Sequence, residues 1–274
     1  MSLGDAITGA GGRMGTTLVR AIAEDTALHL AAALERPDSP LLGRDAGELA
    51  GLGATGVLLG GDVASALRAA DVVIDFSSVT ATLGYAAACR EARRPLVVGT
   101  TGFSAEQRAR VDAAAAEVPL CRASNFSTGM NLLFRLVEEA AGVVEEDVDI
   151  EIIEAHHRHK VDAPSGTALS LGETAAAARG ADLATRAVYH REGQTGPRRA
   201  GSIGFSTVRG GDIVGDHTVL FAADGERIEL THRAGSRFAF ARGALRAARW
   251  LVVQGPGSYD MQDVLGLRRR EEGQ

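Results

Sequence analysis

The chain has 274 residues, a formal net charge of -6, 45% hydrophobic residues and two cysteines, Cys89 and Cys121. That length suits roughly two domains with buried cores, and a negative chain is not drawn as a whole to nucleic acid or to an anionic membrane. No run of about 18 apolar residues marks a membrane span, no secretory leader pattern opens the chain and two cysteines make no disulfide framework, so a reducing, cytoplasmic setting is expected.

Short apolar runs alternate with Ala-rich helical stretches through the first half. Strands are predicted at Ala6–Thr8, Leu28–Leu34, Val57–Leu59, Val72–Phe76, Leu96–Val98 and Leu120–Ala123, and helices at Thr16–Ala23, Thr80–Arg93 and Ala105–Glu117. This strand–helix repetition predicts a doubly wound parallel α/β sheet. Gly4 and Asp5 interrupt the first strand and leave it weakly written. From Asn125–Gly129 onward the order changes. Helix Met130–Val144 and strand Val148–Ala155 are followed by helix Thr167–Arg179. Strands then follow at Ala187–His190, Ile203–Val208, Thr218–Ala222 and Ile228–His232. Strands joined by Gly-rich turns such as Asp224-Gly225 predict a second, α+β domain with a mixed or antiparallel sheet. Glu192–Gly201 is polar and rich in Gly, Pro and Arg, as expected of a flexible loop, and Arg237–Val253 is a final helix.

A turn of Gly9, Ala10, Gly11, Gly12, Arg13, Met14 and Gly15 lies between the first strand and the first helix. Glycines there let the backbone approach a pyrophosphate while the helix N-terminus offers free N–H groups. The spacing departs from the strict dinucleotide fingerprint, because Met14 stands where its last glycine falls. Glu35, 20 residues beyond Gly15, ends the second strand, where an acid takes the adenosine ribose hydroxyls. Arg36 and Arg13 suit a 2′-phosphate, so NADH and NADPH are expected to be weakly discriminated. Without the glycine turn, Glu35 and Arg36 read as an ordinary solvated strand end. Gly99-Thr100-Thr101-Gly102 and Ala123-Ser124-Asn125-Phe126 close later strands, where ligands of open α/β sheets collect, although strand-end turns favour such residues anyway.

The densest chemistry runs from Glu151 to Thr167. Three of the seven histidines, His156, His157 and His159, fall beside Arg158 and Lys160 in an otherwise acidic chain. Lys160 is also the only Lys among 29 Lys and Arg residues. A base-composition bias accounts for Arg elsewhere but not for this exception, and Lys supplies a compact charge and a movable proton. A charge run is usually a solvated loop, yet such a loop needs no His, so acid–base work and anion binding are expected. A metal site is not expected: the His spacing is not a helical pair and neither Cys is near. Glu151 and Glu154 are placed to orient the histidines. Ser165, Gly166 and Thr167 open a helix whose N–H groups and hydroxyls suit a carboxylate, beyond their ordinary capping role.

Glu151 through Ala168 resembles the signature of the dihydrodipicolinate reductase family. Gly9–Gly15, Glu35-Arg36, Gly99–Gly102, Asn125-Phe126, Ile203-Gly204-Phe205 and Gly211-Asp212-Ile213-Val214-Gly215 agree in order and spacing, so the resemblance covers nearly the whole chain. It implies an oxidoreductase of the diaminopimelate and lysine pathway that reduces a cyclic imine dicarboxylate with NADH or NADPH and loss of water. It implies a Rossmann-like domain (1–126 with 237–274), a substrate domain (127–236) and a homotetramer. By position, His156 resembles the family's proton donor and Lys160 its partner. His157, Ser165, Gly166 and Thr167 match substrate contacts. Gly9–Met14, Glu35, Arg36, Gly99–Thr101, Ala123–Phe126 and Phe240, near Arg237, match cofactor contacts. Ser78-Val79 replaces a Pro or basic residue common in the family, which puts one minor cofactor contact in question. Another nicotinamide dehydrogenase of amino-acid metabolism, or a cofactor sensor without turnover, explains the first half but not the His–Lys cluster.

Overall fold

The computed structural model describes residues 2–268, so the last residues of the first expected domain, 269–274, lie outside it. The chain divides into two compact units, one running up to Thr128 and resuming at Arg237, the other Gly129–Ser236.

In the first unit, β1 (Leu3–Thr8), α1 (Arg13–Ala23), β2 (Leu28–Leu34), α2 (Ala46–Ala50), β3 (Leu59–Gly60), α3 (Val63–Ala69), β4 (Val72–Asp75), α4 (Val79–Ala92), β5 (Leu96–Val98), α5 (Ala105–Asp112) and β6 (Pro119–Arg122) follow in order. The second unit contains α6 (Thr128–Val143, its first residue at the junction), β7 (Asp149–His156), α7 (Gly166–Ala178), α8 (Leu183–Arg186), β8 (Ala187–Val188), β9 (Ile203–Arg209), β10 (Gly215–Ala223) and β11 (Glu226–Ala234). The chain then adds α9 (Phe238–Leu251), β12 (Gly257–Tyr259) and α10 (Met261–Leu265) to the first unit.

The first sheet is parallel, in the order β12-β6-β5-β4-β1-β2-β3. Alternate strand residues feed two cores, as a sheet covered on both faces requires. Ile7, Val72, Ile74 and Val97 pack with α1, α9 and α10, whereas Ala6, Val73, Leu96 and Val98 pack with α3, α4 and α5. Side chains close the helix ends. Asp45 accepts from the amides of Gly47 and Glu48 at α2, and Ser104 and Gln107 form a capping box on α5. The short α2, α3, α10 and β12 were not legible from periodicity.

The second sheet is mixed, in the order β11-β10-β7-β9-β8, with β10 antiparallel to β7 and β11 and with β7, β9 and β8 parallel. Ile150, Ile152, Ile203, Phe205, Val219 and Phe221 pack against Met130, Leu133 and Val137 of α6 and Leu171 and Ala175 of α7. Glu192–Gly201 has no regular structure, but the expected free loop is tethered at its start and within. Arg191 and Arg198 both bind Glu151, and Arg198 also binds Asp149 and the carbonyls of Ile150 and Ser202.

β1 is longer than the sequence suggested. Gly4 and Asp5 do not interrupt it: Asp5 pairs with Leu30 and Val72, with a register shift toward β2 between Asp5 and Ala6. Backbone pairing on both sides overrides the poor strand propensity of these residues. The cost falls on the Asp5 side chain, which is fully buried with neither oxygen hydrogen-bonded among the described residues. Burial pushes its pKa from 3.8 to about 7; Arg249 opposes this, and Asp25 and Asp71 add to it. The folded state therefore holds a proton that the unfolded chain has lost, so stability falls as pH rises from about 4 through about 7. Asp5→Val is expected to raise the melting temperature by several degrees at pH 8 and by much less at pH 4. A shift of this size corresponds to about 4 kcal/mol. Thermal unfolding at both pH values checks this, and an equal gain at both would contradict the assignment.

Candidate functional site

In the second unit, β7 turns one face from core to chemistry. Ile150 and Ile152 feed the apolar cluster, and the next residues on that face are Glu154 and His156. Glu154 is 1% exposed. Its Oε2 lies 2.6 Å from Nδ1 of His156, its two oxygens each accept from Arg209 at 2.8 Å, and Oε1 also accepts from the backbone N–H of Ser165 at 3.0 Å. Burial raises the pKa of this carboxyl, but the bonds from His156, Arg209 and Ser165 outweigh it and bring the value down to about 2. A carboxylate ionised at neutral pH therefore accepts a hydrogen bond from Nδ1–H of His156, and Nε2 is left out of that bond. A Cβ built at Gly215 would stand 3.1 Å from that Nε2, so the missing side chain leaves this nitrogen unobstructed.

His217 pairs with Glu154 across the β7–β10 ladder. Its ring meets that of His156 edge to face at 5.1 Å, and its Nε2 lies 3.0 Å from Ser165 Oγ. Burial first, and the neighbouring His156 second, depress its pKa to about 3, so it is uncharged at neutral pH. Ser165 caps α7 by accepting from Ala168 N. Its partner Gly166 is exposed with open space where a Cβ would be, and Thr167 is buried in the first turn. A helix N-terminus with open backbone at its first residue is an anion seat. Lys160, the lone lysine, lies in the β7–α7 connection with Nζ 2.8 Å from Asp162 Oδ1. Burial tends to raise the pKa of Asp162, but the Lys160 bond brings it below its ordinary value. His157 is half-buried, with its ring 6.2 Å from that of His159.

Arg209 and His217 were missed in the sequence. The signal was present for His217. Strand β10 starts at Gly215 rather than Thr218, and alternation then places His217 on the inward face with Val219 and Phe221. Arg209, at the end of β9, had no local signal, because only the sheet register brings it to β7.

In the first unit, the turn after β1 is built for close approach. Gly12 caps α1 with no side-chain bond to its first-turn amides. At Gly15 a Cβ would stand 2.2 Å from the carbonyl of Gly9, so no other residue fits beneath the turn. Ala10 N donates to the Leu34 carbonyl and ties the turn to β2. Glu35, just beyond β2, folds back: its Oε2 accepts from Gly11 N at 3.1 Å and its Oε1 from Arg36 N at 3.1 Å. Arg13 is exposed, Met14 half-buried, and Arg36 stands 3.6 Å from Asp38 at the surface. Gly99, Thr100 and Thr101 follow β5, and the Phe76 ring covers Gly99 so closely that a Cβ there would lie 2.1 Å from it. Ala123, Ser124, Asn125 and Phe126 follow β6. Phe126 packs edge to face on Phe76 at 5.6 Å, and Asn125 Oδ1 accepts from Ser127 N. Gly243 of α9 lies against the Phe126 carbonyl, and Phe240 stands one turn earlier on that helix face, half-buried. Free amides at the α1 N-terminus, an acid at the end of β2 and small residues at the ends of β5 and β6 fit a nicotinamide dinucleotide.

A doubly wound parallel sheet with this turn at its first strand end is the framework of a nicotinamide-dependent oxidoreductase. Residues 5–126 match the N-terminal and residues 129–265 the C-terminal family model of dihydrodipicolinate reductase. The chain is 57% identical over 263 residues to the 4-hydroxy-tetrahydrodipicolinate reductase of Saccharophagus degradans, covering 96% of this chain and 98% of that one. It is 58% identical over 267 residues to that of Halorhodospira halophila, covering 97% and 100%. The solved, dipicolinate-bound dihydrodipicolinate reductase from Paenisporosarcina sp. TG-14 shares the fold, with a TM-score of 0.73 at 24% identity, covering 96% of this chain and 99% of that one. The chain belongs to the dihydrodipicolinate reductase family, and it is an oxidoreductase that uses NADH or NADPH.

Removing Arg209 leaves Glu154 buried with two of its five hydrogen bonds gone. Arg209→Ala is expected to destabilise the protein by about 3 kcal/mol, the cost of breaking a buried pair from one side. Denaturant unfolding checks this, and a loss under about 1 kcal/mol would place the pair among ordinary surface bridges.

Proposed function

We propose that the protein reduces 4-hydroxy-tetrahydrodipicolinate to tetrahydrodipicolinate with NADH or NADPH and loss of water, a step of diaminopimelate and lysine synthesis. The observation that carries this reading is the buried Glu154–His156 pair beside the α7 N-terminus: a held proton donor next to a carboxylate seat. Gly9–Met14, Glu35, Arg36, Gly99–Thr101, Ala123–Phe126 and Phe240 hold the cofactor, which when bound supplies the hydride. The reduced C=C–C=N system gathers electron density toward its nitrogen. Lys160 offsets that charge and holds the anionic end of the substrate, in competition with Asp162, its partner in this structure. His156 delivers the proton from Nε2, while Glu154 stabilises the imidazolium before transfer and fixes the ring afterwards. Ser165, Gly166 and Thr167, with His157, seat the substrate carboxylates.

The assay mixes the purified protein with the product of dihydrodipicolinate synthase and follows loss of reduced-cofactor absorbance; no consumption would refute the reading. His156→Ala is expected to lower kcat by about 10²–10⁴-fold, the usual value of a positioned acid, and near-normal turnover would remove it from the donor role. Lys160→Arg keeps the charge but changes its shape, and a loss of at least about tenfold in kcat/KM is expected. Wild-type kinetics in that variant would refute a role specific to lysine.

We also propose a homotetramer. The outward face of the second sheet, opposite α6 and α7, carries the exposed Ile153 and Val208 with Leu220 between strands. A second copy of this face would cover these apolar side chains, which stand among the polar Ser206, Thr218 and Thr231. Val208→Asp is expected to lower the mass found by light scattering, and an unchanged mass would exclude this face. Cys89 and Cys121 are buried free thiols, with burial pushing both to about 12, which suits a reducing cytoplasmic setting. Among the described residues no helix is long and apolar enough to cross a membrane.

A further inference from the structure

Asp75 ends β4 and is fully buried. Around it converge four hydroxyls from four chain segments. Thr8, the last residue of β1, and Ser77 donate to Oδ1; Thr82 of α4 and Thr100, which follows β5, donate to Oδ2, the last at 3.0 Å. Thr100 Oγ1 also accepts from Ser77 N at 3.2 Å. No cation pairs with Asp75 among the described ion pairs. A carboxyl group removed from water is costly unless its oxygens are satisfied, and apolar residues serve a sheet core at least as well. What sets these hydroxyls apart is the chain that follows two of them. Thr8 leads directly into the Gly9–Met14 turn, and Thr100 lies within Gly99–Thr101. The segment after Asp75 also wedges between those two turns: a Cβ at Gly9 would stand 3.0 Å from the Phe76 carbonyl, and one at Gly99 would strike the Phe76 ring.

We infer that Asp75 is a positioning residue for the nicotinamide cofactor. Its two oxygens set the separation of the glycine turn from the Gly99–Thr101 turn by holding the hydroxyl at the base of each. Oδ1 locks Thr8, Oδ2 locks Thr100, and Ser77 bridges them through its hydroxyl and its amide. Thr82 satisfies the same carboxyl from within α4, none of whose residues is among those assigned to the cofactor. Loss of the Thr82 hydroxyl therefore costs stability alone, whereas loss of Asp75 or of the Thr8 hydroxyl lets the two turns drift apart. The inference rests on the reading that these turns hold the cofactor.

The test is NADH binding by fluorescence titration of the full chain, with melting temperature and steady-state kinetics alongside. Asp75→Asn is expected to weaken NADH by about tenfold or more, with the effect in the KM for NADH rather than in kcat, and with dipicolinate inhibition within about twofold of wild type. Thr8→Val weakens NADH by about three- to tenfold, while Thr82→Val, which loses a buried hydroxyl of the same kind, stays within about twofold despite a similar fall in melting temperature. Should Asp75→Asn fail to fold, the Thr8→Val and Thr82→Val pair decides. Equal NADH affinity in the two, or wild-type affinity in Asp75→Asn, overturns the inference and leaves Asp75 a structural group. Absence of binding of both NADH and NADPH in the wild-type protein refutes the cofactor reading instead.

Discussion

A carboxylate taken out of water must be given donors or a proton, and Glu154 is where the second unit meets that demand. Its donors come from β7 itself, from β9 through Arg209 and from the start of α7 through the Ser165 amide. One side chain thereby fixes the strand register at its polar end, the start of the helix that offers free amides, and the tautomer of His156. His217 reinforces this from β10 by holding Ser165 Oγ and crossing the His156 ring. The neutrality of His217 matters as much as its position. A second charged imidazole at this distance would disfavour any positive charge on its neighbour.

Three buried acids illustrate the same physics with different outcomes. Glu154 has an Arg, a His and an amide and stays ionised. Asp75 has hydroxyls alone and joins segments at the ends of β1, β4 and β5 with the start of α4. Asp5, one strand away, has no side-chain hydrogen-bond partner among the described residues and holds its proton up to near neutrality. The first two tie segments together and the third ties nothing, which makes it a weakness of β1 rather than a device.

Much of the fold was legible because periodicity carries it. Buried parallel strands such as Val72–Asp75 and Leu96–Val98 read as short apolar runs, and β2 was found with its observed bounds. Elements that failed were those whose stability comes from neighbours. Pairing on both sides carries β1 through Gly4 and Asp5, and ion pairs to Glu151 hold a loop whose composition resembles a free one. In the site, the His–Lys run and the Ser165–Thr167 cap were visible as local clusters, and of the two acids expected to orient the histidines Glu154 bonds His156 whereas Glu151 bonds Arg191 and Arg198. Arg209 is 55 residues from Glu154 and was invisible.

The sequence by itself determined the α/β alternation, the glycine turn and the run of His156, His157, His159 and Lys160, because these depend on residues adjacent in the chain. Tertiary structure decided which of those groups carry charge and where their protons sit. It turned Glu154 into a permanent anion, His217 into a neutral ring and Asp75 into a junction of four hydroxyls. Each outcome depends on burial and on donors delivered by other strands, and neither quantity is written in local sequence.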